Sequence, residues 1–154
     1  MKLGLISDTH GQVPSAVHKA LTGVDRILHA GDVGSMDVIT KLEAIAPVSA
    51  VLGNTDYGIN LPVSRVEVFA EYKCLIHHIV ELPTPSALVR DLVNMEKPKI
   101  IVFGHTHIPY AKQHGGVWFL NSGSACSPRG GSEASVAIAE FENGKLHVKH
   151  HALT

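Results

Sequence analysis

The chain has 154 residues, enough for one domain with a sizeable core, and its apolar share of 45% against a charged share of 18% excludes a disordered tail or linker. The formal net charge of −1 gives no basic surplus for a nucleic-acid surface, though bound metal ions would add positive charge that a residue count omits. Two cysteines, Cys74 and Cys126, make no disulfide framework, the short run after Met1 is no signal peptide, and no apolar span approaches the ~20 residues of a membrane helix. These features predict one domain over residues 1–154, cytoplasmic and without a membrane partner.

In chain order, Lys2 to Ile6 reads as a strand and runs into Ser7-Asp8-Thr9-His10-Gly11. Pro14 to Leu21 has helical apolar spacing, with a proline suited to the first turn. Asp25 to Ala30 is a second strand, ending in Gly31-Asp32-Val33-Gly34, and Met36 to Ala46 a second helix. Val48 to Leu52 is a third strand, ending in Gly53-Asn54-Thr55-Asp56. Three strand-loop-helix units at intervals of about 25 residues imply a parallel sheet, whose ligands bind at the strands' carboxyl ends.

After Pro62 the pattern changes. Arg65 to Phe69 and Lys73 to Ile76 read as a hairpin ending at His77-His78. Pro83 to Met95 reads as a helix, and Lys99 to Phe103 as a buried strand leading into Gly104-His105-Thr106-His107-Ile108-Pro109. The last third reads as all-β. Tyr110 to Gln113 and Val117 to Leu120 flank Gly115-Gly116, and Ser135 to Phe141 and Lys145 to Lys149 flank Asn143-Gly144, a strong hairpin signal. His147, His150 and His151 near the C-terminus read as surface residues.

Five strand ends carry donor side chains: Asp8 with His10, Asp32, Asn54, His77, and His105 with His107. Singly, each has an ordinary structural use. Asp8 could cap a helix, Asp32 and Asn54 could serve turns, and His77 or His78 could be satisfied core histidines. Their recurrence at successive strand ends points to metal binding. Seven donors exceed the shell of one tetrahedral zinc and suit two ions sharing a carboxylate. Two ions ~3.5–4 Å apart are the arrangement that clamps a phosphoryl displacement. Mixed nitrogen and oxygen donors favour manganese, with nickel, zinc or iron as alternatives, over magnesium or calcium.

Asp8-x-His10, Gly31-Asp32, Gly53-Asn54, His77 and Gly104-His105-x-His107 resemble the five blocks of the calcineurin-like metallophosphoesterases. Asn54-Thr55-Asp56 and Ser127-Pro128-Arg129-Gly130-Gly131 are most similar to the small YfcE-like phosphodiesterases. The resemblance implies an α/β fold, a four-layer αββα sandwich with two mixed sheets. It implies that Asp8, His10, Asp32 and His107 hold one metal, with Asp32 bridging to a second held by Asn54, His77 and His105. A hydroxide bridging the two ions would then attack phosphorus in a small phosphodiester or phosphomonoester. Nucleic acid enters only as a possible substrate, and a homo-oligomer is open.

Three positions depart from the family pattern. Thr55 stands where larger members carry a proton-donating histidine, so leaving-group protonation needs another source or a good leaving group. Asp56 matches an acidic position of undefined catalytic role. The usual His-Gly-His reads His77-His78-Ile79, which aligns His77 as the ligand and puts His78 on the pocket wall. The usual Asn-Pro-Gly-Ser reads Asn121-Ser122-Gly123-Ser124. Asn54 and Arg129 are candidate phosphate contacts, Arg129 for its bidentate guanidinium. The competing reading is an interaction scaffold on the same fold, as in the retromer subunit that resembles this family.

Overall fold

The computed structural model describes residues 1–154. The elements are β1 (Lys2–Ile6), α1 (Ser15–Ala20), β2 (Arg26–His29), α2 (Met36–Glu43), β3 (Val48–Ala50), β4 (Ser64–Phe69), β5 (Tyr72–His77), α3 (Ala87–Glu96), β6 (Ile100–Phe103), β7 (Pro109–His114), β8 (Val117–Ser122), β9 (Ser135–Glu142) and β10 (Lys145–Ala152). They form two five-stranded mixed sheets, ordered β10-β9-β1-β2-β3 and β4-β5-β6-β8-β7. In the first, β1, β2 and β3 are parallel and β9 runs antiparallel to β1. In the second, β5, β6 and β8 are parallel and β4 and β7 form antiparallel edges.

Side-chain alternation turns these sheets into four layers. Leu3, Leu5 and Leu28 of the first sheet pack against Cys74, Ile76, Ile100 and Val102 of the second, forming the core between the sheets. The opposite face of the first sheet presents Ile6, Ile27 and Val136 to Val17 of α1 and Leu21 at its end, and to Val38, Ile39 and Leu42 of α2. The far face of the second presents Leu75, Ile101 and Phe103 to Val89 of α3. The result is the expected αββα sandwich. Central strands bury both faces, so β6 reads as an unbroken apolar run rather than an alternating one. No helix is long and apolar enough to cross a membrane.

Three expectations need correction. The third helix begins at Ala87, not at Pro83. Pro83 and Pro85 disfavour helical backbone in the residues before them, and the Ser86 side chain, accepting from the Val89 amide at 3.4 Å, caps the true start. No helix follows β3, whose chain runs on to β4, so the strand-loop-helix unit occurs twice rather than three times. The β-rich last third divides between the two sheets. Its first hairpin joins the second sheet through β8 and its last joins the first sheet through β9. The loop between them therefore crosses the end of the sandwich where the donor side chains lie. Ser124 Oγ donates to the Asp8 carbonyl at 2.8 Å, and the Arg129 amide to the His107 carbonyl at 3.2 Å.

Candidate metal centre

The loops after β1, β2 and β3 meet those after β5 and β6 at one end of the sandwich. Backbone bonds knit them: the Asp8 amide donates to the Gly31 carbonyl, the His10 amide to the Asp32 carbonyl and the Gly104 amide to the His78 carbonyl, each at 3.0 Å. Asp8, His10, Asp32, His105 and His107 all have positive φ, between 45° and 71°. Left-handed backbone is costly for non-glycine residues and recurs where function demands a particular side-chain direction. Glycine is required where loops touch. A Cβ on Gly53 would lie 2.0 Å from Asp32 Oδ1, and one on Gly104 would lie 2.8 Å from Asp8 Oδ2.

Each carboxylate uses one oxygen on the scaffold and leaves the other inward. Asp8, fully buried, accepts through Oδ2 from Ser7 Oγ at 2.7 Å and from the His105 amide at 3.1 Å. Its Oδ1 has no hydrogen-bond partner and lies 3.3 Å from His107 Nε2. Asp32 accepts through Oδ1 from the Thr55 amide at 2.9 Å, while its Oδ2 lies 3.4 Å from His78 Nε2 and 3.8 Å from His10 Nε2. Burial works against the Asp32 charge, but the Thr55 amide and the His78 and His10 imidazoles outweigh it and hold the carboxyl below its ordinary value.

The histidines are oriented from behind. His107 Nδ1 lies 2.6 Å from the Ser127 carbonyl and His78 Nδ1 lies 2.7 Å from the Ala30 carbonyl. A carbonyl only accepts, so both Nδ1 atoms carry hydrogen. In the neutral rings each Nε2 then aims a lone pair at the carboxylates. His78 Nε2 is also 3.0 Å from Asn54 Oδ1, and His105 Nδ1 is 3.1 Å from the same oxygen. Two groups result. Asp8, His10, Asp32 and His107 place donor atoms within 4.8 Å of one another. Beside them, Asn54 Oδ1 joins His78 to His105, and His78 Nε2 lies 3.4 Å from Asp32 Oδ2 and 3.8 Å from Asp8 Oδ1.

One expected donor is displaced: His78, not His77, faces the cluster. Alternation along β5 sends Cys74 and Ile76 into the core between the sheets, and His78 continues that side just past the strand. His77 shares the other parity with Leu75. Its Nδ1 instead lies 2.6 Å from Ser64 Oγ, and burial beside His78 lowers its pKa.

Asp56 also has a different place from a catalytic acid. Its carboxylate accepts from the Val33, Gly34 and Gly53 amides at 3.1, 2.9 and 2.8 Å, so it clamps the second loop to the third. Thr55 gives its amide to Asp32 and is exposed. Arg129 is exposed on the loop that holds His107 and forms no ion pair. His29, which motif reading passes over, sits fully buried behind the site. Its Nδ1 accepts from the Gly31 amide at 3.2 Å, and its Nε2 lies 2.9 Å from Thr9 Oγ1, whose hydrogen goes to the Val33 carbonyl. Burial lowers its pKa to about 3, so the ring is a neutral strut between the first two loops.

Residues 1–144 match the calcineurin-like phosphoesterase superfamily domain. The chain is 37% identical to a probable metallophosphoesterase of Methanothermobacter thermautotrophicus, over 95% of this chain and 89% of that one. It is 28% identical to the phosphodiesterase YfcE of Escherichia coli, over 91% and 88%. In fold it is similar to the zinc complex of wild-type Vps29 from Entamoeba histolytica, with a TM-score of 0.76 at 20% identity and full coverage of both chains. A family match over most of the length, together with the Methanothermobacter relative, establishes that the chain belongs to the calcineurin-like phosphoesterase superfamily.

Proposed function

We propose that the chain is a metal-dependent phosphodiesterase whose two donor groups each take one divalent ion. The supporting observation is the buried Asp8 Oδ1, which has no hydrogen-bond partner and lies 3.3 Å from His107 Nε2. With the ring neutral, acceptor faces acceptor, and an orphaned buried carboxylate oxygen costs on the order of 1–3 kcal/mol or more. A cation between them converts both into ligands. Asp32 Oδ2 and His78 Nε2 form a second close oxygen–nitrogen pair, 3.4 Å apart.

In this reading Asp8, His10, Asp32 and His107 would hold one ion, and Asp32, Asn54, His78 and His105 the other. The nitrogen and oxygen mixture suits manganese, nickel, zinc or iron. When bound, two such ions would neutralise charge on the phosphoryl oxygens and lower the pKa of the attacking water. The protein orients the rest. The Ser127 and Ala30 carbonyls fix the imidazole tautomers, and Asp56 fixes the Asn54 loop against Asp32. Asn54 and the free guanidinium of Arg129 would contact phosphate oxygens. No side-chain acid is supplied at Thr55, so the reaction favours leaving groups that depart unprotonated.

The test is turnover of a nitrophenyl phosphodiester by purified protein loaded in turn with manganese, nickel, zinc and iron. Hydrolysis with at least one metal supports the proposal, and none with any of the four refutes it. Thr55 is the observation that favours a scaffold instead. That reading needs metal-free protein with a stoichiometric partner.

A further inference from the structure

Beside His105 lies a cavity of about 320 Å³. Phe103, Val80, Leu82, Ile108 and Tyr110 make it apolar. His105 belongs to both places, lining the cavity while its Nδ1 lies 3.1 Å from Asn54 Oδ1. Thr106 lines the same side. Glu81 is the one carboxylate in the lining, and no lysine or arginine joins it. An anionic group is therefore disfavoured there, and an uncharged one of ring size fits.

We propose that this cavity binds an uncharged aromatic or other apolar ester arm of a phosphodiester, the arm that stays on phosphorus. The assignment rests on the phosphodiesterase reading. In hydrolysis the water oxygen forms the new P–O bond. The leaving oxygen departs with the bonding pair on the opposite side, and the water's proton passes to solvent. His105 lines the cavity and contacts Asn54, so an arm of a phosphodiester held at the centre reaches the cavity, and an arm that remains on phosphorus can occupy it throughout the reaction. The lining makes the site selective for diesters: a monoester has no second arm, and a terminal phosphate would meet Glu81 without a cation. Tyr110 is braced for this, with its ring edge-to-face on Phe103 at 6.0 Å and its hydroxyl 2.7 Å from His114 Nε2.

Two esters sharing one leaving group test the assignment: methyl 4-nitrophenyl phosphate and phenyl 4-nitrophenyl phosphate, with metal-loaded enzyme. Burying the ring predicts a kcat/KM about tenfold or more higher for the phenyl ester. Ile108→Ala, at an exposed position, and Tyr110→Ala bring the ratio towards one. A second readout follows the Leu82 and Ile108 methyl resonances during titration with diphenyl or dimethyl phosphate. Shifts at those methyls, with tighter binding of the diphenyl compound, support the assignment. Equal kcat/KM for the two esters, or equal affinities with no shift at those methyls, overturns it and leaves the phosphodiesterase reading standing. No turnover of either ester overturns the reading itself, and the pocket assignment with it.

Discussion

Replacing His78 and His77 separately by phenylalanine distinguishes two adjacent histidines. His78 Nε2 lies 3.0 Å from Asn54 Oδ1 and 3.4 Å from Asp32 Oδ2, so its loss removes one of four donors from the second group. Losing a residue that merely orients a ligand costs about 10- to 100-fold in metal affinity, so losing a ligand costs about 100-fold or more. That is about 2.8 kcal/mol of binding free energy. His78→Phe also strands the Ala30 carbonyl, lowering stability by about 1–3 kcal/mol. His77→Phe removes a bond to Ser64 Oγ, worth about 1 kcal/mol of stability, and no contact to the donor cluster. Its metal affinity stays within about threefold of wild type, a margin under 1 kcal/mol. Calorimetric titration of chelator-stripped protein with manganese, paired with thermal denaturation, measures both quantities. Loss of metal affinity in His77→Phe with retention in His78→Phe would refute the strand-parity argument.

Gly53→Ala should abolish metal binding and lower the melting temperature, because its Cβ would sit 2.0 Å from Asp32 Oδ1 and 2.1 Å from the Asp32 backbone nitrogen. A variant with wild-type metal affinity contradicts this. Asp56→Ala deprives three backbone amides of a charged acceptor and should cost about 2–5 kcal/mol in a denaturant titration, more than an exposed carboxylate would. His29 makes stability pH-dependent. Its folded pKa of about 3 lies below its ordinary 6.5, so between these values the unfolded chain binds a proton that the folded chain does not. Its contribution is complete above pH 6.5 and is lost as pH falls towards 3, by up to about 1.4 kcal/mol per pH unit. His29→Gln should flatten that part of the stability profile measured by denaturant titration; an unchanged slope contradicts the assignment.

Much of this was legible in the sequence, for identifiable reasons. β1 is a short apolar run that stops at the first polar loop, so its bounds read directly as Lys2–Ile6. The first two strand-loop-helix units and the hairpin at Asn143-Gly144 carry local turn chemistry that does not depend on distant contacts. The two-sheet division does depend on them. Nothing local tells β8 to join β6 and β9 to join β1. For a related reason the sequence does not separate His77 from His78. Both faces of β5 are buried, so alternation separates the two residues without saying which side meets the other sheet. Only the pairing of Cys74 and Ile76 with the inter-sheet core decides it. Asp56 and His29 act through backbone amides and a threonine hydroxyl, which leave no spacing pattern.

Two donor groups that each hold one ion should be directly visible in an anomalous-difference map from crystals loaded with manganese. Two peaks should appear ~3.5–4 Å apart. His107 Nε2 and His10 should ligate one, His78 Nε2 and His105 Nδ1 the other, and Asp32 should lie between them. A single peak, no peak, or both His105 and His107 on one ion would contradict the two-group assignment.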